Sequence, residues 1–261
     1  MSRGLNWLQA LAGGQALDGY PASVQVVDGS LDDRTARYIA VVPDAENPFP
    51  RARNGEVGLL EGWALGQALD EVIAADRDKA DKRVVVAIVD VPSQAYGRRE
   101  EALGIHQALA GAVDGYARAR LAGHPVIALL VGKAMSGAFL AHGYQAQRIV
   151  ALRDPGVMVH AMGKAAAARI TLRSVEELEA LAESVPPMAY DIDNYATLGL
   201  LWETLSVDSI EQPSAGDLQR VRDCLQRAVD DIGSSTDLRG RLGAPNREAS
   251  SRVRELMRAQ W

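Results

Sequence analysis

The chain has 261 residues, 48% hydrophobic and 24% charged, a composition that supports a full core in one domain or at most two. A net charge of −6 gives no general reason to bind nucleic acid or an anionic membrane, and one cysteine, Cys224, excludes an internal disulfide and fits a reducing compartment. The longest strongly apolar run is far short of a membrane span, and Asn6 and Gln9 interrupt the apolar N-terminal stretch; a soluble, cytoplasmic protein without a signal peptide is expected.

Two successive strands are predicted first, SVQVVDG (23–29) and RYIAVV (37–42). A loop rich in Pro and Asn, PDAENPFPRARNG (43–55), follows them. Residues 58–76 read as a helix with Leu65, Leu69, Val72 and Ile73 on one face. RVVVAIVD (83–90) is short, continuous and β-branched, the pattern of a strand buried on both faces. After VPSQAYG (91–97) comes a long helix carrying Ile105, Leu109, Val113 and Tyr116. PVIALLV (125–131) is a second buried strand, ended by Gly132, and the small-residue turn Ala134-Met135-Ser136-Gly137-Ala138 leads from it into a helix. RIVAL (148–152) and VMVHA (157–161) add strands, and beyond about residue 163 the chain reads as mostly helical. The alternation predicts an α/β fold whose helices cover a largely parallel sheet.

Several familiar chemistries are excluded by what is missing. Gly132-Lys133 is not a phosphate-binding P-loop, because Ala134 replaces the magnesium-holding Ser or Thr and Ile127 replaces the leading Gly. No G-x-G-x-x-G follows an early strand. The histidines, His106, His124, His142 and His160, join no H-E-x-x-H and no cluster with Cys, so no metal is expected. They read as core or surface residues, with a proton-transfer role left open for His142 and His160 beside the Ser136 turn. Ser136 lacks the flanking glycines of a nucleophile elbow, Ala134 and Ala138 standing there instead, and is expected to cap the following helix.

The stronger signal is a pair of loops, DVPSQAYGRREE (90–101) and GKAMSGAF (132–139), each after a buried strand and before a helix. If the two strands are neighbours, both helix starts open on one sheet edge and their N–H groups converge on one or two oxygens. That arrangement polarises a thioester carbonyl and holds an enolate. Gly97 and Gly137 serve equally well, from spacing alone, as residues that permit tight turns. Both readings stand at this point.

Residues 84–141 resemble the crotonase superfamily, whose members hold acyl thioesters between two such loops. Carboxyltransferase subunits of acyl-CoA carboxylases carry a D-x-P-x-x-x-x-G loop and an S-G-G-A turn. These are matched here by Asp90-Val91-Pro92 through Gly97 and by Ser136-Gly137-Ala138, with Met135 standing where those subunits tend to have Gly. Over most of residues 20–235, including VMVHAMGKAAAARIT (157–171), the chain is similar to the gamma subunits of biotin-independent malonate decarboxylase.

The resemblance implies a single crotonase-like (ClpP/crotonase) domain over 1–261, a spiral of ββα units of carboxyltransferase-subunit type. It implies pairing with a homologous beta subunit to decarboxylate a malonyl thioester on an acyl carrier subunit, with an acyl carrier transferase subunit as a further partner. The thioester rides on a prosthetic group derived from dephospho-coenzyme A; no cofactor is bound covalently to this chain and no biotin is used. Gly97, Arg98, Ser136, Gly137 and Ala138 become the catalytic candidates, and Arg98 and Arg99 the candidates for the phosphates of the arm. A scaffold half that only supports a partner's site, and a biotin-dependent carboxyltransferase subunit, remain the alternatives. A serine-protease reading by likeness to Clp-type enzymes fails, because Ser136 lies next to Gly137 instead of one residue earlier than the Met-Gly pair of that signature.

Near the C-terminus Arg239, Arg241, Arg247, Arg252, Arg254 and Arg258 face only Glu248 and Glu255, a basic segment on an acidic chain. It reads either as a docking surface for an acidic carrier subunit and its phosphates or as a solvated helix face whose Val253, Leu256 and Met257 pack inward.

Overall fold

In a computed structural model, which describes residues 2–242 and 244–261, the chain opens with a helix that composition does not advertise. α1 (Arg3–Ala12) is capped by Ser2, whose hydroxyl accepts the Leu5 N–H, and it ends at Gly13 in the left-handed conformation. Its Trp7, Leu8 and Leu11 are fully buried, so the interrupted apolar stretch is one face of a core helix.

β1 (Val24–Leu31) and β2 (Arg34–Val41) form an antiparallel hairpin. α2 (Leu59–Ala75), β3 (Val84–Val91), the short α3 (Arg98–Ala102) and α4 (Ile105–Leu121) follow. Next come β4 (Val126–Met135) and the short α5 (Ser136–Ala141). β5 (Arg148–Leu152), β6 (Met158–His160), α6 (Lys164–Thr171), α7 (Val175–Ser184), α8 (Ile192–Ala196), β7 (Glu203–Leu205), α9 (Ala215–Ile232) and α10 (Glu248–Gln260) complete the chain. The sheet order is β1-β2-β3-β4-β5-β7, and every pairing after the first hairpin is parallel.

β3 and β4 are central strands, buried along nearly their whole length. α2 and α4 cross close together because Gly62 brings its Cα against the Ala108 carbonyl; an added Cβ would stand 2.7 Å from that oxygen. β4 runs past Gly132 to Met135, beyond the end of its apolar run, because it changes neighbours. Its first half pairs with β5, from Ile127 to Leu130, and its last residues, Lys133 to Met135, pair with β6. The sheet therefore splits at β4, and the split opens next to the two turns that the sequence singled out.

The two C-terminal helices differ. α9 has a capping box at Ser214 and Asp217 and buries Val221, Cys224, Leu225, Ala228, Val229 and Ile232. α10 buries no residue. Val253, Leu256 and Met257 are more than half exposed, so the expected inward packing of that side does not occur.

Candidate active site

Asp90, the acid of the D-x-P loop, organises the backbone. Its Oδ1 accepts the Lys133 N–H at 3.1 Å and its Oδ2 accepts the Gly4 N–H at 3.4 Å. The β3–β4 register shifts between Val89 and Val91, where the carboxylate enters. Gly132 makes room for it, since a Cβ there would lie 2.1 Å from Oδ1. Asp90 thus ties the ends of β3, β4 and α1 together, and Gly132 is fixed by crowding.

The turn after β3 is railed by Val57, whose N–H donates to the Ser93 carbonyl at 3.1 Å and whose carbonyl accepts the Ala95 N–H at 2.9 Å. Gly58, the next residue, is held by the buried acid of α2. Glu61, fully buried, accepts from the Ser23 hydroxyl at 2.5 Å, the Asn47 amide at 2.8 Å and the Gly58 N–H at 2.9 Å. This network folds the Pro-rich loop back over the turn and delivers Phe49 and Arg51 to it.

Gly97 is extended, with φ −171°, so its lack of a side chain gives space and not a left-handed turn. A Cβ would stand 2.6 Å from Arg51 Nε and 2.7 Å from Glu100 Oε2. The Gly97 N–H makes no hydrogen bond with any described residue. Arg51, Tyr96, Gly97, Arg98 and Glu101 line an open cleft of about 660 Å³. Arg99 does not join it: its guanidinium lies over the Phe49 ring, 4.9 Å from the centroid. The two neighbouring arginines are therefore split, and Arg51, which the sequence reading did not single out, takes the second place. No local motif marks Arg51, since the Glu61–Asn47 network is what brings it there.

At the turn after β4 the left-handed residue is Ser136, with φ 57°, a conformation that costs a non-glycine residue about 1–3 kcal/mol. Met135 before it is ordinary extended strand at φ −112°, so the glycine of the related pattern is not needed there. Ser136 does not cap α5 as expected. Met135 holds the cap position without a side-chain bond, and the Ser136 hydroxyl donates to the Ala161 carbonyl at 2.7 Å. That bond ties α5 to the segment after β6 and explains how the strained residue is held. Gly137 directs its N–H to Gln94 Oε1 at 2.8 Å. Ala138 is fully buried beneath the turn. Ser136 and Gly137 line a cavity of about 580 Å³ with Phe139, His160, Tyr195 and Leu200.

The two histidines left open part company. His142 is fully buried in the core. Its Nε2–H donates to the Ile88 carbonyl at 3.0 Å and its Nδ1 accepts the Tyr116 hydroxyl at 2.9 Å, the tautomer that satisfies both partners. Burial pushes its pKa down to about 4, and it takes no part in the cavity. His160 does line the cavity, stacked flat on Tyr190 at 3.9 Å with Nδ1 against the Met162 carbonyl at 3.1 Å; burial lowers its pKa. Among the described residues no group of three or more His, Cys, Asp or Glu is placed to hold a metal. No described helix is long and apolar enough to cross a membrane.

The arginine-rich segment also divides. Arg239 pairs with Asp237, Arg241 is buried against the Tyr144 ring and donates to the Tyr144 carbonyl, and Arg247 donates to the Arg241 carbonyl. Arg252, Arg254 and Arg258 remain on α10 without ion-pair partners among the described residues.

Paired turns beyond neighbouring parallel strands of a sheet that splits at β4 make a crotonase-type fold. Two more distant crystal structures share that fold, a transcarboxylase 12S core at 17% identity and TM-score 0.64, over 87% of this chain and 41% of that one, and the beta subunit of P. aeruginosa geranyl-CoA carboxylase at 14% and 0.57, over 82% and 37%. The family model for the malonate decarboxylase gamma subunit matches residues 52–261, and the chain belongs to that family. It is 72% identical, with TM-score 0.97, to a chain in the crystal structure of a Pseudomonas malonate decarboxylase hetero-tetramer in complex with coenzyme A, covering 100% of both. A Pseudomonas MdcD–MdcE hetero-dimer gives 70% identity and TM-score 0.93, again over 100% of both chains. The malonyl-S-ACP:biotin-protein carboxyltransferase of Malonomonas rubra is 36% identical over 173 residues, 65% of this chain and 59% of that protein's length.

Proposed function

We propose that this chain supplies one half of a malonyl-thioester decarboxylase and is inactive without a homologous beta subunit. The malonyl group arrives on an acyl carrier subunit, on an arm derived from dephospho-coenzyme A. The bond between the α-carbon and the carboxylate breaks, carbon dioxide leaves, and the electron pair remains on the thioester enolate. A proton then gives the acetyl thioester. The step needs a home for negative charge on oxygen and no nucleophile.

The observation that carries this reading is the pair of turns at Gly97 and Gly137, each lining its own cleft at a strand-to-helix junction in a member of the gamma-subunit family. Gly137, between Ser136 and Ala138, is the proposed donor at the apolar cavity, its N–H turned towards Gln94 at the cavity's edge with the other turn. Gly97 is the proposed donor in the polar cleft, where Arg98 with Arg51 would meet phosphate or carboxylate; Arg99, stacked on Phe49, does not line that cleft. Crystal structures of relatives as hetero-dimer and coenzyme A complex support partner and substrate class. The acyl carrier is supported by the name of the M. rubra relative, which also names a biotin protein as acceptor and so favours carboxyl transfer as the second reading.

One experiment separates them. The chain is co-expressed with its beta partner and assayed on malonyl-coenzyme A with and without avidin. Activity in the complex, none in either chain alone and no effect of avidin are expected. Full activity of the isolated chain refutes the two-halves reading, and inhibition by avidin selects the biotin reading.

A further inference from the structure

Gln94 sits midway along the railed turn, between Ser93 and Ala95, whose backbone groups both bond Val57. Its backbone is therefore fixed while its side chain reaches across to the other turn. The amide oxygen accepts the Gly137 N–H at 2.8 Å. A Cβ on Gly137 would lie 3.3 Å from that same oxygen, so the amide lies directly against the turn. Nothing else holds the amide: Nε2 makes no hydrogen bond with any described residue. A planar carbonyl on a flexible stem thus fills the donor that a thioester oxygen needs.

We propose that Gln94 is a self-ligand of the oxyanion site, its amide oxygen standing in for the substrate carbonyl and leaving when the thioester binds. The inference rests on Gly137 being an oxyanion donor and adds the group that competes for it. The competition is unequal in a useful way. A neutral thioester carbonyl exchanges one neutral hydrogen bond for another, whereas an enolate oxygen makes a charge-assisted bond about twice as strong. Gln94 therefore weakens ground-state binding while the enolate still displaces it readily. In the resting site it also keeps a small anion from settling on the bare N–H.

The test uses the assembled complex with malonyl-coenzyme A as substrate. Gln94→Met keeps the length and packing of the side chain but cannot accept a comparable hydrogen bond; Gln94→Ala removes it altogether. Both are expected to raise kcat/KM by about 3- to 10-fold, the equivalent of one neutral hydrogen bond, seen chiefly as a lower KM. Gln94→Glu places a charged acceptor on the same N–H and should lower kcat/KM by about 10-fold or more. Unchanged or lower kcat/KM in both Gln94→Met and Gln94→Ala, in complexes of normal size and melting temperature, overturns the self-ligand. If Gly137→Val is inactive in the same assay, only the self-ligand has failed and the donor stands. If Gly137→Val is fully active, the donor reading falls and the self-ligand with it.

Discussion

The turns at Gly97 and Gly137 hold equivalent places, each beyond a buried parallel strand, and they are in opposite states. At Gly97 the N–H is free of any described partner and the surroundings are charged, with Arg51 and Glu100 pressed against the Cα. At Gly137 the N–H is engaged by Gln94, and the surroundings are largely apolar, with Phe139, Leu140 and Leu200 in the cavity wall. A free donor beside Arg51 and Arg98 suits an anion held by charge, with the Glu100 and Glu101 carboxylates offsetting part of that attraction. A covered donor among apolar groups suits an oxygen that becomes charged only during the reaction, where low dielectric makes each hydrogen bond count for more. On the proposed reading, the same backbone device serves two oxygens of different character.

Substitution at the two glycines tests that difference most directly. Gly137→Val crowds a side chain against the Gln94 oxygen, whose distance from the added Cβ would be 3.3 Å, and should lower turnover by about 100- to 1000-fold, the loss typical of one oxyanion donor. Gly97→Val should cost less, about 100-fold at most, because an anion in the cleft lined by Arg51 and Arg98 is held mainly by side-chain charge, even though its Cβ meets closer atoms, Arg51 Nε at 2.6 Å and Glu100 Oε2 at 2.7 Å, than the 3.3 Å found at Gly137. Activity of Gly137→Val within about threefold of the parent, in a properly assembled complex, removes the donor role. A larger loss at Gly97 than at Gly137 reverses the assignment of the two turns.

Acid should loosen the Gly137 side. His142 lies at the end of α5 and ties it to α4 through Tyr116 and to β3 through Ile88. Its folded pKa of about 4 is below the ordinary value of 6.5. Well above pH 6.5 both folded and unfolded forms are neutral and the group contributes nothing to the pH dependence. As pH falls from about 6.5 towards 4 the unfolded chain takes up the proton first, so stability is lost over that window, by up to about 3 kcal/mol. His142→Gln should remove this slope, seen as urea-unfolding curves of parent and variant that diverge between about pH 7 and 5. Parallel curves would show that His142 does not titrate in this way.

Much of the fold was legible because its signals are local. The β-branched runs at 84–91 and 126–131 have no stable alternative to a buried strand, and the helix at 59–75 shows its apolar face in the letters. The two turns were legible as a pair because both sit at strand-to-helix junctions. What could not be read depends on contacts distant in sequence. Ser136 donates to Ala161, Gly137 donates to Gln94, Arg51 is delivered by Glu61 and Asn47, and Arg241 is taken into the core by Tyr144. The N-terminal helix escapes the sequence reading because Asn6 and Gln9 look like interruptions, although helical spacing places them off the buried Trp7–Leu8–Leu11 face.

The smallest effect is expected at α10, far from either turn in character. Its apolar side is uncovered and Arg252, Arg254 and Arg258 have no ion-pair partner among the described residues. Arg239, Arg241 and Arg247 are already engaged, so only three of the six arginines counted in the sequence remain for docking. Exposed charge pairs are worth about 0.2–1 kcal/mol each and act mainly on encounter. Reversing all three to Glu should raise KM for the carrier-bound malonyl thioester by roughly 5-fold at low ionic strength, an effect that shrinks as salt screens the charges. Malonyl-coenzyme A at saturation should turn over as before, because α10 lines neither the cleft at Gly97 nor the cavity at Gly137. Equal losses on both substrates would mean that α10 supports assembly with the beta partner, and no loss on either would leave its arginines as a solvated face.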